Sequence, residues 1–280
     1  MSAGPARSGA VVVKLGGDVV ADRAALANVC AGVRGIVGAG ARTAIVHGGG
    51  PQATALSKRL GVEQQVIAGR RVTDEATLEV MKMAVAGQVN VDLAAALRAA
   101  GVRAVGVAGV SAGLVDAVKR PPRVVTGAGP DPIDLGLVGD VVVVSLDLLG
   151  ALWRGGFVPV IACLGSDASG QVYNINADVV ANAVAGAITA DHLLVVTGAP
   201  GILADPDDPS TRIPRLTLAE ARAAIAAGTI RGGMIPKVEE CAAGLAKSVR
   251  AVHVLAAATP DALLQELQSP GTVGTVLVAG

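Results

Sequence analysis

Short apolar runs alternate along the chain with longer segments of helical periodicity. The runs are rich in valine and isoleucine and occupy residues 11–15, 42–47, 103–107, 141–145, 158–162, 192–197, 251–255 and 275–278. Most of them show no alternation between apolar and polar positions, which is typical of strands that are buried on both faces of a parallel sheet. The pattern therefore predicts a mainly parallel sheet.

Helical segments fill the gaps between these runs. Leu78, Met81 and Val85, for example, recur at helical spacing behind Thr73, whose hydroxyl is suited to cap the start of a helix. Strands that alternate with helices indicate layers of helices on both faces of a sheet. The predicted fold class is therefore α/β, a three-layer α/β/α sandwich around a mainly parallel open sheet.

Two regions depart from this rhythm and indicate the domain organisation. Residues 111–145 and 163–175 contain prolines and glycines at close spacing and are predicted to form short strands and hairpins. No internal repeat or clear linker divides the chain. We expect a short tail over residues 1–10 and a single domain over 11–280, with one lobe at about 11–173 and a second at about 174–280.

Composition narrows the classes of function. The 280 residues carry 23 Lys+Arg against 23 Asp+Glu, and 52% are hydrophobic, which excludes global disorder and argues against nucleic acid as a partner. No uncharged stretch reaches the roughly 18 residues of a membrane-spanning helix, so we expect no membrane partner. The three cysteines are far apart and form neither a disulfide framework nor a zinc motif, which favours a reducing cytoplasmic location.

Two junctions between a predicted strand and a helix are rich in glycine. Gly16 and Gly17 follow the first strand, and the sequence 48–50, Gly-Gly-Gly, follows the second and precedes Pro51. Glycine lets a backbone approach a ligand closely, and the N–H groups at a helix start attract anions. Either loop alone is equally compatible with a simple tight turn, but together they indicate a pair of anion sites at the carboxyl ends of the strands.

Two lysines stand next to glycines in unusual places. Lys14 lies in an otherwise apolar strand, separated from Gly16 only by Leu15, and Lys237 follows Gly-Gly-Met-Ile-Pro at a helix start, where the helix dipole disfavours a cation. A bound phosphate would supply the missing counter-charge. The alternative is that both side chains reach out to water.

Three further polar residues are candidates for the same site. Asp178 could orient the two lysines, although it could equally cap the helix that follows it. Arg71 precedes a helix and could bind a carboxylate with two hydrogen bonds, whereas the neighbouring Arg70 is the candidate for a solvated side chain.

From about Val11 to the C-terminus, the sequence resembles the amino-acid kinase family. The resemblance is carried by segments in a fixed order: KLGG at 14–17, HGGGP at 47–51, GRRVT at 69–73, LGLVG at 135–139, YNINAD at 173–178 and GGMIPK at 232–237. The segments HGGGP, NINAD and GGMIPK are the most specific, and they are similar to the branch of the family that phosphorylates N-acetyl-L-glutamate.

The resemblance implies an activity and a set of roles. It implies transfer of a phosphoryl group from ATP with Mg²⁺, held mainly by the nucleotide phosphates, to the γ-carboxylate of N-acetyl-L-glutamate in arginine biosynthesis. Lys14 and Lys237 would contact the transferred group, and Asp178 would hold both lysines. The first lobe would bind the acceptor and form a homodimer, and the second would bind the nucleotide; no metal-ligating residues are implied.

The resemblance also assigns the binding residues. Gly49 and Gly50 would bind the acyl acceptor through their N–H groups, and Arg71 and Asn174 would hold its α-carboxylate. The expected nucleotide contacts are Gly16, Gly17, Gly198, Gly201, Leu203, Thr229 and Arg231.

Some features depart from the family pattern. Gly198 stands where relatives often have an aspartate, and the segment 109–113, GVSAG, is less polar than usual. Arginine-inhibited members carry an N-terminal helix that links dimers into a hexamer, whereas the glycines and the proline before the first strand disfavour a helix here. We therefore expect an arginine-insensitive homodimer.

Other functions share these residues. The acceptor pocket alone separates N-acetylglutamate from acetylaminoadipate, carrier-bound aminoadipate, N-succinylglutamate or carbamate, and one methylene changes binding by only about 1–3 kcal/mol. A non-catalytic amino-acid sensor on the same fold is the alternative from another class. Loss of a lysine or of Asp178 would have favoured the sensor, and all three are present.

Overall fold

The computed structural model describes residues 9–125 and 127–280. Residues 1–8 of the predicted tail, on which the expectation about arginine regulation depends, lie outside the described residues. The strands are β1 Ala10–Leu15, β2 Arg42–His47, β3 Val66–Ile67, β4 Arg70–Arg71, β5 Ala104–Ala108, β6 Val115–Lys119, β7 Arg123–Val124, β8 Pro132–Ile133, β9 Gly139–Val144, β10 Val158–Ala162, β11 Leu164–Ser166, β12 Val172–Asn174, β13 His192–Val196, β14 Arg215–Thr217, β15 Ala251–Leu255 and β16 Thr275–Val278.

Helices connect most of these strands. The α-helices are α1 Gly17–Ala21, α2 Arg23–Gly38, α3 Gly50–Leu60, α4 Glu75–Met81, α5 Asn90–Ala99, α6 Asp147–Arg154, α7 Ala177–Ala187, α8 Leu218–Ala226, α9 Met234–Leu245 and α10 Ala262–Gln268. A π-helical segment, Lys82–Val89, joins α4 to α5, and short 3₁₀ turns occur at Ser111–Gly113 and Pro209–Thr211.

The central sheet has eight strands in the order β14-β16-β15-β13-β1-β2-β10-β5. Every neighbouring pair is parallel except β15 and β16, which run antiparallel. The predicted mainly parallel sheet is confirmed. Because β1 lies between β13 and β2, the carboxyl ends of these three strands meet at one edge, where ligands bind in open α/β sheets.

Helices cover both faces of this sheet. One buried cluster lies between the sheet and helices that include α2, α5 and α10, and contains Val33, Leu97 and Leu263. The other lies on the opposite face, against α3, α7 and α9, and contains Val184 and Val238. Two apolar cores around one sheet are the expected three-layer α/β/α sandwich, and they bury the strands on both sides.

The apolar run at 141–145 is not in the central sheet. It belongs to β9, at the edge of a separate four-stranded sheet in the order β12-β11-β6-β9. Val142 and Val143 are 59% and 55% exposed there. A continuous apolar run therefore indicated a strand correctly but not its burial, because an edge strand on a small sheet leaves one side uncovered.

The start of α4 is capped one residue later than the sequence suggested. The Asp74 carboxylate accepts a hydrogen bond from the Thr77 N–H at 2.7 Å, so Asp74 and not Thr73 is the cap. Thr73 is fully buried instead, and its Oγ1 accepts a hydrogen bond from Asn174. The early part of this helix therefore adjoins the β12 strand end.

By length and composition alone, one helical stretch, Glu75–Ala99, could cross a membrane. It carries Lys82 and Asp92 along its length, and Leu78, Leu93 and Leu97 on its inner side are almost completely buried in the protein core. The apolar side chains on its inner side thus pack in the protein core, whereas Val91 is 63% exposed.

Candidate active site

Lys14 and Asp178 form an ion pair at the carboxyl edge of the central sheet. The Lys14 Nζ lies 2.8 Å from the Asp178 Oδ1, and the two side chains are only 13% and 14% exposed. Lys14 is flanked in register by Val195 of β13 and Val46 of β2. The sheet therefore fixes the backbone of Lys14, and the Asp178 carboxylate holds its ammonium group and compensates for the removal of that group from water.

The cap of α7 explains why Asp178 is available for this pair. Asn176 is the N-cap, and its Oδ1 accepts a hydrogen bond from the Asp178 N–H at 2.7 Å. The alternative that Asp178 itself caps the helix is thereby excluded, since another side chain performs that role. The Asp178 carboxylate lies in the first turn, where the helix dipole also favours its ionised form.

Lys237 lies in the first part of α9, which begins at Met234 behind the N-cap Gly233. No carboxylate of the described residues lies within 4.0 Å of its ammonium group. The structure thus joins Lys14 to Asp178 directly and leaves Lys237 without an ion-pair partner.

The two glycine loops pack against each other. An added Cβ on Gly17 would lie 2.7 Å from the Pro51 Cδ and 3.2 Å from the Gly50 N, so only glycine permits this approach. The Gln52 Nε2 also donates a hydrogen bond to the Gly17 carbonyl at 2.8 Å. The loop after β1 and the loop after β2 therefore form one surface beside Lys14.

The backbone N–H groups of this surface differ in availability. Gly16 donates to the Val196 carbonyl at 3.3 Å, and Gly48 donates to the Leu15 carbonyl at 3.1 Å. Gly49 and Gly50, at the start of α3, have no backbone acceptor among the described residues. They are the N–H groups that can bind an anion at the positive end of the helix.

His47, which the sequence analysis did not select, orients this loop. It is fully buried, and its Nδ1 lies 2.9 Å from the Gly48 carbonyl, while the Asn90 Nδ2 lies 2.9 Å from its Nε2. Burial lowers the pKa of His47 to about 4, so the ring is neutral. The Nδ1–H therefore donates to Gly48 and the Nε2 accepts from Asn90. The position of His47 directly before three glycines was the feature of the sequence that could have indicated this role.

Arg71 is held at one side of an open cleft. Its Nη2 donates hydrogen bonds to the Gly50 carbonyl at 3.2 Å and to the Thr54 Oγ1 at 2.9 Å. Its Nη1 is buried and has no hydrogen-bond partner among the described residues. A buried, unpaired guanidinium nitrogen is costly, and a carboxylate is the ligand that would satisfy it.

Asn174 lines the same cleft as Arg71. Its Nδ2 donates to the Thr73 Oγ1 at 3.2 Å, which leaves its side-chain oxygen and second N–H free of any protein partner in the described structure. The cleft has a volume of about 370 Å³, enough for a small amino-acid derivative. Its polar lining consists of Arg70, Arg71, Arg120, Asn174, Asn176 and Glu240.

The residues expected to bind the nucleotide do not share one cavity in the structure. Arg231 approaches Asp205 of the loop after β13, with 3.4 Å between its Nη2 and the Asp205 Oδ2. Leu203 is almost completely buried. Gly198 borders a separate cavity of about 460 Å³, which Gly201, Leu203, Thr229 and Arg231 do not line.

Neither Lys14 nor Lys237 lines this larger cavity. Its charged lining residues are Asp18 and Asp22, and it contains no lysine or arginine. Carboxylates repel the phosphates of a nucleotide, so volume is a poor guide to the site here. The lysines and the two glycine loops mark the place where anions can bind.

The side chains available as metal ligands limit how a magnesium ion could be held. Among residues 9–125 and 127–280, no group of three His, Cys, Asp or Glu side chains lies close enough together to hold a metal ion. Magnesium prefers to keep waters and nucleotide phosphates as ligands, with one or two carboxylates. A magnesium ion held mainly by nucleotide phosphates would not need such a group of side chains.

Comparison with known proteins identifies the family of the chain. Residues 9–256 match the amino acid kinase family. The chain belongs to that family. The acetylglutamate kinase of Sorangium cellulosum is 54% identical over 271 residues, which cover 97% of this chain and 95% of the relative. The acetylglutamate kinase of Anaeromyxobacter dehalogenans strain 2CP-C is 55% identical over 267 residues, which cover 95% of this chain and 98% of the relative.

A solved structure supports the fold as well. The protein smu.665 of Streptococcus mutans UA159 superposes with a TM-score of 0.74 at 27% identity, covering 97% of this chain and 99% of that one. The fold class expected from the sequence, that of the amino acid kinases, is thus confirmed along nearly the whole chain.

Proposed function

We infer that the chain is an acetylglutamate kinase, which transfers the γ-phosphoryl group of ATP to the γ-carboxylate of N-acetyl-L-glutamate in arginine biosynthesis. The observation that carries this inference is the Lys14–Asp178 pair, which stands beside two packed glycine loops. The close relatives of the same name support it.

We assign the acceptor to the cleft at Arg71. The unpaired Nη1 of Arg71 and the free amide atoms of Asn174 bind its α-carboxylate, and the N–H groups of Gly49 and Gly50 bind its γ-carboxylate. The neutral His47 keeps those N–H groups pointed at the acceptor by holding the Gly48 carbonyl. The γ-carboxylate is already ionised at neutral pH, so the transfer needs no strong base.

The chemistry then depends on alignment and charge. Two anions must meet in line, and negative charge builds on the oxygens of the moving phosphoryl group. We place Lys14, fixed by Asp178, and Lys237 on those oxygens. ATP would arrive as its magnesium complex, with the metal held by the phosphates, and we place those phosphates beside Gly16 and Gly17. Gly198, Gly201, Leu203, Thr229 and Arg231 stay proposed contacts for the rest of the nucleotide, although they do not line one cavity together.

We also propose that the two lobes bind different substrates. Residues 11–173 contain most of the groups assigned to the acceptor, and residues 174–280 contain most of those assigned to the nucleotide; Gly16, Gly17 and Asn174 are the exceptions. We also propose a homodimer, because β5 leaves an open edge of the central sheet and Val91, on the neighbouring α5, is 63% exposed. Sedimentation at the mass of a monomer or a hexamer would contradict the dimer.

A cytoplasmic location fits the three buried, unpaired cysteines.

The deciding experiment is hydroxylamine trapping of the acyl phosphate with MgATP and a panel of acceptors. We expect N-acetyl-L-glutamate to exceed acetylaminoadipate in kcat/KM by about tenfold or more, since one methylene is worth about 1–3 kcal/mol. N-succinylglutamate, free glutamate and carbamate should be weaker still. If another acceptor were preferred, the proposed substrate would be wrong and the kinase reaction would stand. If no acceptor gave an acyl phosphate, the result would favour a non-catalytic amino-acid sensor.

Arg71 offers a sharper test of the acceptor cleft. We expect Arg71→Lys to raise the KM for N-acetyl-L-glutamate by about tenfold to a hundredfold, because an ammonium group cannot form the paired hydrogen bonds of a guanidinium. The KM for ATP should change little. Arg59→Lys, at an exposed position of α3, is the matched control. An acceptor KM within twofold of the parent would remove Arg71 from the site.

A further inference from the structure

Gln52 is a polar residue of α3 to which neither the resemblance nor the chemistry above gives a role. It is the third residue of that helix, behind the N-cap Gly49, and its side chain is half-buried. Its Nε2 donates a hydrogen bond to the Gly17 carbonyl at 2.8 Å, whereas its Oε1 is buried without a partner among the described residues. A buried amide oxygen without a donor requires an explanation.

The position of Gln52 in α3 suggests a local role that the structure does not show. In a capping box, the glutamine or glutamate at this position reaches back to the N–H group of its own N-cap residue. The one hydrogen bond of the Gln52 side chain in the described structure crosses instead to Gly17 of the other loop. The Gly49 N–H therefore stays open for a ligand, and the glutamine joins two loops rather than capping its own helix.

This bond holds the two loops together beyond the end of the sheet. The strands β1 and β2 pair as far as Leu15 and His47, and the Gly48 N–H donates to the Leu15 carbonyl at 3.1 Å. Between residues 16–18 and 49–52, all of which the structure describes, the amide of Gln52 forms the one hydrogen bond. Contact between Gly17 and Pro51 keeps the loops from approaching further, and the amide keeps them from separating.

The spacing of these loops sets the spacing of the reactants. In the proposed function, Gly17 stands beside the phosphates of ATP, and the N–H groups of Gly49 and Gly50 bind the carboxylate that is phosphorylated. Reacting atoms must lie about 3–3.5 Å apart, and a misplacement of about 1 Å lowers the rate on the order of a hundredfold. Each loop can still bind its own substrate after such a shift, so the loss falls on the chemical step.

We propose that Gln52 is a positioning residue for phosphoryl transfer. Its amide clips the loop after β1 to the loop after β2 and thereby fixes the distance between the donor phosphate and the acceptor carboxylate. It touches neither reacting group and acts through Gly17 on one side and the start of α3 on the other. This role rests on the proposed kinase function, and it predicts a lower kcat with unchanged KM values.

The first test is Gln52→Met, which keeps the length of the side chain and removes the donor. We expect kcat for acyl-phosphate formation to fall by about tenfold to a hundredfold, while the KM values for ATP and N-acetyl-L-glutamate stay within about twofold. Gln265→Met, at an exposed position of α10 on the opposite face of the sheet, is the matched control. A kcat within twofold of the parent, or a loss that appears in KM instead, would overturn the proposal.

Gln52→Glu tests whether the donor itself matters. This change keeps the shape of the side chain but places a carboxylate oxygen against the Gly17 carbonyl, and two acceptors repel each other. We expect kcat to fall at least as far as in Gln52→Met. Turnover like that of the parent would show that the hydrogen bond to Gly17 is dispensable and would refute the clip.

A binding measurement separates positioning from a general loss of structure. MgADP with aluminium fluoride and N-acetyl-L-glutamate imitates the phosphoryl group between donor and acceptor. Gln52→Met should bind MgADP, and N-acetyl-L-glutamate in the presence of MgADP, like the parent, whereas the added affinity from aluminium fluoride should fall by the same factor as kcat. Weaker binding of the separate ligands, or an undiminished effect of aluminium fluoride, would contradict the proposal.

Gly17→Ala perturbs the same spacing from the other side. Its Cβ would lie 2.7 Å from the Pro51 Cδ, so the loops must move apart and kcat should fall. Adding Gln52→Met to this variant should then lower kcat by less than about twofold more, because the amide no longer spans the loops. Two effects that multiply would show that Gln52 acts independently of the loop spacing, and would overturn its role.

The two levels of the argument fail separately. If the parent forms no acyl phosphate with any acceptor, the kinase function itself is refuted. If the parent forms acyl phosphate and Gln52→Met does so equally fast, only the clip is refuted and the kinase stands.

Discussion

Replacing Lys237 by alanine is expected to lower kcat by a few hundredfold while the protein keeps its stability. A cation that meets charge only in the transition state contributes about 3–4 kcal/mol to the barrier. Lys237 has no ion-pair partner within 4.0 Å among the described residues, and a cation near a helix start opposes the helix dipole. Its removal therefore breaks no ion pair among the described residues of the free protein.

The measurement is steady-state acyl-phosphate formation together with urea unfolding. The control is Lys247→Ala, an exposed lysine just beyond the end of the same helix, which should leave kcat within about twofold. Turnover near that of the parent in Lys237→Ala would remove this lysine from the phosphoryl site. A large loss of stability would mean that it has a structural partner.

Most of the fold follows from the apolar pattern because strands buried on two faces have few sequence alternatives. The strands at Arg42–His47 and Val158–Ala162 have the predicted bounds. The misplacement of the run at 141–145 shows the limit of this reasoning. An apolar strand can belong to a small sheet whose outer side is exposed, and the sequence alone does not state which strands pair.

The candidate site was predictable where a residue type conflicts with its position. Lys14 in an apolar strand is such a conflict, and the structure answers it with Asp178 at 2.8 Å. His47 was not selected because it looks ordinary in sequence. Its significance comes from a partner distant along the chain, Asn90.

Replacing Lys14 by alanine is expected to lower kcat at least as much as the change at Lys237, and to destabilise the protein as well. Its partner Asp178 is only 14% exposed, so the change leaves a largely buried carboxylate unpaired. Breaking a buried pair on one side costs about 3–5 kcal/mol, and partial exposure reduces this to roughly 2–4 kcal/mol. Loss of activity alone would therefore not separate catalysis from folding.

A second variant separates them. Lys14→Ala combined with Asp178→Asn removes both charges, so no ionised carboxylate remains buried, and most of the lost free energy of unfolding should return. Turnover should stay low by a few hundredfold or more, because the cation that meets the phosphoryl oxygens is still absent. If turnover recovered together with stability, Lys14 would be a structural lysine that only neutralises Asp178. If stability recovered alone, the pair would serve catalysis, with Asp178 fixing an ammonium group that the sheet would otherwise not retain at its edge.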